Sequence, residues 1–360
     1  MKQYCLHLIP ITPVHVGTGE ELLPFQYFIR NIANPRAAAP EYRLIRFSDV
    51  ALVQKMGKQD KEQLIDLAKK DDLIQLRQFF IEKADSLVIR NQELIQSTSE
   101  VTSELLNLWE DLQKHPQNML IIRPAIASAL GGNRLVPYIP GSSLKGAIRT
   151  AIVDADKVGR EKEKHMGGAQ IPKDPFRALA LTDARFSGKG SRLVGAAFLY
   201  NRHNGTVESL QMMYEVLKGQ CLMSDKEQVQ ESTTMLTIKP ELQREAQLDW
   251  NIPDIDEIAR RCNQFYGDLL EEEYQDFYQN VRDEVSAGFK FVHDAMDAVR
   301  QNKNEFLLRV GRHSQFEFMT LNNDRKCANS KYNRTSRTLF KYKNVYYPMG
   351  WIHVRYEEVQ

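Results

Sequence analysis

Residues 138–151 read YIPGSSLKGAIRTA. Pro140 and Gly141 interrupt whatever precedes them. From there Leu144, Ile148, Ala151 and Ile152 recur at helical spacing, so the stretch opens a helix with one face on a core. Ser142 and Ser143 are of the residue type that caps helix starts. Lys145 and Arg149 stand four apart and share a helical stripe. Gly146 weakens the helix by about 1 kcal/mol relative to Ala, which predicts that something packs close to it. Free backbone N–H groups, two hydroxyls and two cations at one helix end suit a phosphate. The bland alternative is a well-capped helix and nothing more. The order is not that of a P-loop, GxxxxGK[ST], because Lys145 precedes Gly146, and ATP binding through this motif is disfavoured.

Around this stretch the charge is unevenly distributed. The 360-residue chain carries a formal net charge of only +1. Residues 121–202, however, hold 14 Lys/Arg against 6 Asp/Glu, and residues 305–343 hold 9 against 3. Between them, residues 204–285 hold 7 against 18. Two basic segments flanking an acidic one fit a polyanion-binding face backed by a solvated acidic face. The hydrophobic fraction of 42% belongs to a soluble globular protein. No apolar run approaches the roughly 20 residues of a membrane span, so no membrane is expected as a partner. The N-terminal MKQYCLHLIPITPVHVG reads as a first strand rather than a signal peptide. Cys5, Cys221, Cys262 and Cys327 are far apart and form no CxxC pair, which points to a reducing cytoplasm and away from zinc fingers.

Along the chain, residues 3–12, FQYFIR and EYRLIRF read as short strands, with a glycine-containing loop at TPVHVGTGEELLPF. From about 48 to 115 the pattern changes to apolar residues at helical intervals among charges, an inserted helical block. FRALALTDARF and RLVGAAFLYNR alternate like paired strands joined by SGKGS. VESLQMMYEVLKGQCLMSDKEQ holds one or two more strands. Residues 255–303 are strongly helical with a Glu-rich solvated centre, EFLLRVGRHSQFEFMTL reads as strand–loop–strand, and NVYYPMGWIHVRYE closes the chain as a strand. The succession implies an α+β fold with antiparallel sheets covered on one face.

At these residues the sequence resembles the RAMP superfamily, the RNA-binding subunits of CRISPR effector complexes. The resemblance rests on YIPGSSLKGAIRTA, on the opening ITPVHVGTGEEL, on DPFRALALTDARF and on the late loop LRVGRHSQF. RTSRTLF and YYPMGW resemble the end of one branch, the fifth subunit of the type III-A Csm complex. The late loop has a single glycine, Gly311, where such loops often carry several, so Arg312 or His313 would contact RNA by side chain. The resemblance implies two ferredoxin-like (RRM-type) modules, residues 1–203 with the helical insertion and residues 204–360 with the acidic helices. It implies a cytoplasmic RNA-binding subunit, without cofactor, that contacts the guide crRNA near its 3′ end. Its partners would be crRNA, other Csm-type RAMP subunits, and a host nuclease for 3′ trimming. It would support crRNA maturation and complex assembly in antiviral defence.

The expected RNA contacts are His15, Gly17 and Gly19 in the first loop, Gly141, Ser142, Ser143, Lys145 and Arg149 at the helix start, Gly311, Arg312, His313 and Ser314 in the late loop, and Arg334 and Arg337 beyond it. Tyr332, Phe340, Tyr342, Tyr346 and Tyr347 interleave with cations there, which suits single-stranded RNA as well as an ordinary strand with one aromatic face in a core. No catalytic residue is assigned. His15 and His313 are the weak candidates for a metal-independent endoribonuclease that trims crRNA precursors, which would need a base and a cation for the phosphorane. Asp183 fits a turn or capping role better than a metal-assisted one. The histidines form no HxxxH or HxH pair, and no metal site is assigned. A phosphate-ligand enzyme unrelated to RNA is the third reading.

Overall fold

The computed structural model describes the chain except for residues 33–39, 71, 116–119, 130–133, 157–173, 189, 202–205, 225–226, 246–250, 280, 282, 320–335 and 360. In chain order the strands are β1 (Lys2–Pro10), β2 (Tyr27–Asn31), β3 (Tyr42–Phe47), β4 (Ile95–Val101), β5 (Ile122–Arg123), β6 (Ala127–Ala129), β7 (Leu135–Ile139), β8 (Leu179–Leu181), β9 (Ala184–Arg185), β10 (Arg192–Asn201), β11 (Thr206–Leu217), β12 (Ser232–Ile238), β13 (Glu305–Arg309), β14 (Ser336–Tyr342), β15 (Val345–Pro348) and β16 (Trp351–Glu358). The α-helices are α1 (Asp49–Lys55), α2 (Lys58–Lys69), α3 (Leu73–Arg90), α4 (Ser103–Lys114), α5 (Gly141–Ala155), α6 (Pro240–Glu245), α7 (Ile255–Glu273) and α8 (Asp283–Arg300). The fold is mixed α+β.

Five strands form the first sheet in the order β13-β16-β1-β12-β8, with every pair antiparallel. Alternation sets its faces: Tyr4, Leu6 and Leu8 of β1 are buried, while Cys5, His7 and Ile9 point the other way and are half-exposed. The buried face meets α5, α7 and α8 in one core that includes Leu144, Ile148, Ala151 and Ile152, the apolar stripe read from the sequence. The Glu-rich centre of α7 divides. Glu271 and Glu272 face solvent as expected, but Glu273 is buried, next to a π-helical turn at Tyr274–Tyr278.

The second sheet runs β15-β14-β10-β4-β3-β2, with β11 on β10 and β5 on β11. A tight turn with Lys343 and Asn344 both at positive φ joins β14 to β15. Helices α1 to α4 cover residues such as Tyr27, Phe28, Phe47 and Trp109 in a second core. The block 48–115 is therefore not helical throughout. Its β4 pairs antiparallel with β3 and parallel with β10, inside the sheet. IQSTSEV is polar and lacks a helical or apolar signature, so its strand character comes from its two neighbours rather than from its own side chains.

Two further expectations are corrected. FRALALTDARF and RLVGAAFLYNR are not paired with each other: β8 pairs with β12, β9 with β7, and β10 with β11, β14 and β4. The segment after the late loop makes a single helical turn at Phe316–Phe318 where a strand was expected. The boundary expected at 203/204 falls outside the described residues, between β10 and β11, and both sheets take strands from both sides of it.

Candidate nucleic-acid interface

Three distant pieces of chain meet at one end of the first sheet. Gly350 N–H donates to Pro13 O (2.9 Å), Val310 N–H donates to Gly350 O (2.8 Å) and Arg312 N–H donates to His15 O (2.9 Å). Gly311 has φ 92°, and a Cβ there would lie 2.4 Å from His15 O. Only glycine takes that conformation readily at so close an approach. The single glycine of the late loop thus locks this loop against the 15–19 loop. Beside them lies α5. Val16 and Gly17, Ser143, Gly146, Ala147 and Thr150, and Arg309 to Arg312 with Ser314 line one open groove of about 430 Å³. A smaller recess of about 160 Å³, lined by His15, Gly17, Gly19, Arg123 and Arg312 with Glu20 and Glu21, adjoins it through shared residues.

The helix start differs in detail from its sequence reading. The N-cap is Pro140, without a side-chain cap bond, so Ser142 and Ser143 lie inside the first turn. Gly141 N–H donates to Asp183 Oδ1 at 2.8 Å, and a Cβ on Gly141 would stand 2.2 Å from Leu181 O. Asp183 is the cap, supplied from the β8–β9 connection, and Gly141 serves close packing. One backbone N–H expected to be free for an anion is therefore occupied by a carboxylate. Ser143 lines the groove and Ser142 is exposed.

Gly146 is exposed, and no atom of the described residues lies within 4 Å of a Cβ built on it. None of the described residues packs on it, contrary to expectation, and it opens onto the groove instead. Residues 143, 146, 147 and 150 form one helical face. Lys145 and Arg149 fall on a different stripe, well round the helix. Burial holds the Lys145 ammonium below its usual value, with Asp174 opposing and Arg149 adding to the shift. The Arg149 guanidinium lies 5.1 Å from the Phe176 ring centre. The two cations do not converge with Ser143 and Gly146.

His15 and His313 do come together, on either side of Tyr214. The Tyr214 ring stands edge-on to both, at centroid distances of 4.7 and 4.9 Å, and the imidazoles are 6.5 Å apart. His15 Nδ1 donates to Glu215 O (2.8 Å), and Arg123 Nη1 donates to the Tyr214 hydroxyl (2.9 Å). The Glu215 carboxylate is buried. Burial works to raise its pKa, but Arg192, Ser99 and the Ala125 N–H outweigh it and keep it low. Burial pushes His15 down, the Glu215 carbonyl and carboxylate oppose it, and Arg312 and Arg123 add to it. Burial first, then His15, Arg312, Arg309 and Arg123, push His313 down to about 3. Both imidazoles are neutral at pH 7.

Arg337 is corrected as a surface contact. Its guanidinium is buried, bonded through Nε to Glu273, 3.4 Å from Glu317 and 3.7 Å above the Phe277 ring. Arg309 shares Glu273 (3.0 Å), donates to Met349 O (3.0 Å) and stacks on Phe318 at 4.4 Å. Sequence reading missed Arg309 and Tyr214. A charged residue ending the apolar run Phe306–Leu308 was the available sign for Arg309, and nothing in the sequence singles out Tyr214. Phe340 is in the core, whereas Tyr342, Tyr346 and Tyr347 are half-buried. Arg334 and Tyr332 lie outside the described residues. Among the described residues no helix is long and apolar enough to cross a membrane.

The sequence matches the RAMP superfamily over residues 7–316. A search of curated proteins found no match. Among solved structures, a chain of the cryo-EM structure of a Csm-crRNA-target RNA ternary complex in a type III-A CRISPR-Cas system is similar, at TM-score 0.57 and 17% identity, covering 99% of this chain and 100% of that one. Csm5 of T. onnurineus is similar at TM-score 0.56 and 15% identity, covering 96% and 99%.

Proposed function

The chain belongs to the RAMP superfamily, and on that basis we propose that it is an RNA-binding subunit of a type III-A CRISPR effector complex, bound to the guide crRNA through the groove. The observation that carries this reading is the convergence of the 15–19 loop, the Ser143–Gly146–Thr150 face of α5 and the 310–314 loop on one open groove. Arg312 is exposed at its rim, and hydroxyls and glycines line it, which suits a sugar–phosphate backbone read by shape rather than by base edges. The guide would be held near its 3′ end, with other Csm-type subunits and the RNA as partners. The run β1–α5–β8–β12–α7–β16, set in space as β16-β1-β12-β8 with β13 at its edge, supports reading this sheet as one ferredoxin-like module. Such a module would be the platform for the groove.

The trimming-nuclease reading draws on the approach of His15 to His313. Such cleavage needs a base presented to a ribose 2′-OH beside a cation for the phosphorane. Arg123 and Arg312 are at hand, but His15 is only 2% exposed, its Nδ1 is held by the Glu215 carbonyl, and the Tyr214 ring stands between the two imidazoles, an arrangement that suits packing better than presentation of a base to a ribose. We therefore propose a noncatalytic role.

The test is salt-dependent binding of the full chain to single-stranded guide RNA. Arg312→Ala should lower the slope of log K against log salt by about 0.7, one phosphate contact on a single strand. Unchanged affinity and slope in a folded Arg312→Ala variant would remove the groove from the RNA path.

A further inference from the structure

We propose that Cys5, His7 and Glu357 bind one zinc-class divalent ion on the face of the first sheet turned away from its helices. The strand geometry brings the donors together. Cys5 and His7 are two apart on β1 and so share a face, and Glu357 of β16 lies directly opposite Cys5. One donor atom from each residue lies within 4.8 Å of the others. Sulfur, imidazole nitrogen and carboxylate oxygen form a zinc-type set, and a fourth position is open to water.

The histidine is already oriented as a ligand. His7 Nδ1 is 2.6 Å from Glu231 Oε1, and Nε2 is 3.2 Å from Glu357 Oε1. With the Nδ1 proton donated to Glu231, Nε2 presents a lone pair toward a carboxylate, a repulsive arrangement that a second ring proton or a cation between them would relieve. A carboxylate behind a ligating imidazole is the usual supporting arrangement in zinc sites. Charge also balances. Arg355, opposite His7 on β16, lies 3.7 Å from Glu231, which leaves the Glu357 carboxylate and the Cys5 thiolate to neutralise a divalent ion. Binding would release the thiol proton to solvent. The ion would tie β1 to β16, the first strand of the chain to the last, in the sheet that carries the groove.

The test uses the full-length chain, stripped with chelator and kept reduced, titrated with Co²⁺. A thiolate-to-cobalt charge-transfer band in the near ultraviolet should saturate at one equivalent and vanish when Zn²⁺ is added. Cys5→Ser should abolish the band, His7→Gln and Glu357→Gln should each weaken binding at least about tenfold, and Glu231→Gln about tenfold through the imidazole. Absence of the band in the folded chain, or its survival in Cys5→Ser, would overturn the site. If Cys5→Ser does not fold, unchanged Co²⁺ affinity in both His7→Gln and Glu357→Gln would overturn it equally.

Discussion

Replacing Gly146 with leucine separates a binding role for the groove from a structural one. Gly146 sits on the exposed, groove-lining side of α5, and a Cβ there meets none of the described residues within 4 Å. Its carbonyl accepts from Thr150 Oγ1 at 3.0 Å, a contact the substitution leaves in place. Among the described residues a Cβ there meets no neighbour, so the change expected in the free chain is a gain in helix propensity of about 0.8 kcal/mol. That corresponds to a melting temperature higher by no more than about 2–4 °C. In the RNA-bound chain the same side chain would stand in the volume the backbone is proposed to occupy. The expected loss of affinity is at least about tenfold, or about 1.4 kcal/mol. Gly146→Ala should gain the same stability with a smaller loss of binding. The assays are thermal melting and filter binding of single-stranded guide RNA on the same preparations. A Gly146→Leu protein that is stabilised and binds RNA as tightly as the parent would refute the reasoning.

Other consequences follow from the interior. Arg337→Ala leaves Glu273 and Glu317 short of a buried partner, and denaturant unfolding should show a loss of about 3–5 kcal/mol. Depressed pKa values at His15 and His313 mean that well above pH 6.5 both are neutral folded and unfolded, while below it the unfolded chain takes up protons more readily than the folded one. Stability should thus fall as pH drops below 6.5, with His313 contributing up to about 1.4 kcal/mol per pH unit down toward pH 3 and His15 acting in the same direction, and urea titrations of His313→Gln should show a shallower decline between pH 6.5 and 5. Excising residues 55–112 removes β4 from between β3 and β10, so hydrogen exchange should show β10 and β14 losing protection while β1, β12 and β16 keep theirs; full protection of β10 would show that the second sheet re-forms without it.

How much of this was legible depended on where the controlling contact lay. The apolar stripe of α5 was visible because Leu144, Ile148, Ala151 and Ile152 repeat with the helix, and the same side chains form the core. The loops at 15–19 and 311–314 were marked by their glycines, and the structure joins them through Gly311 and His15 O. What escaped was set by partners far away in sequence. Gly141 answers to Asp183, 42 residues on, and Arg337 to Glu273, 64 residues back. Lys145 and Arg149 looked convergent with Ser143 because spacing places residues on a stripe but does not say which stripe meets the groove. β4 was hidden for a related reason: a polar strand between two partners carries no periodic signal of its own.

The central claim is that the groove between the 15–19 loop, α5 and the 310–314 loop holds the guide. Photocrosslinking tests it most directly. Complex reconstituted with crRNA carrying 4-thiouridine at successive positions in its 3′ portion is irradiated, digested and mapped by mass spectrometry. Crosslinked peptides should contain Val16–Gly19, Ser143–Thr150 and Val310–Ser314, from neighbouring thiouridine positions. Crosslinks to this chain that avoid all three segments, at full occupancy of the subunit, would contradict it.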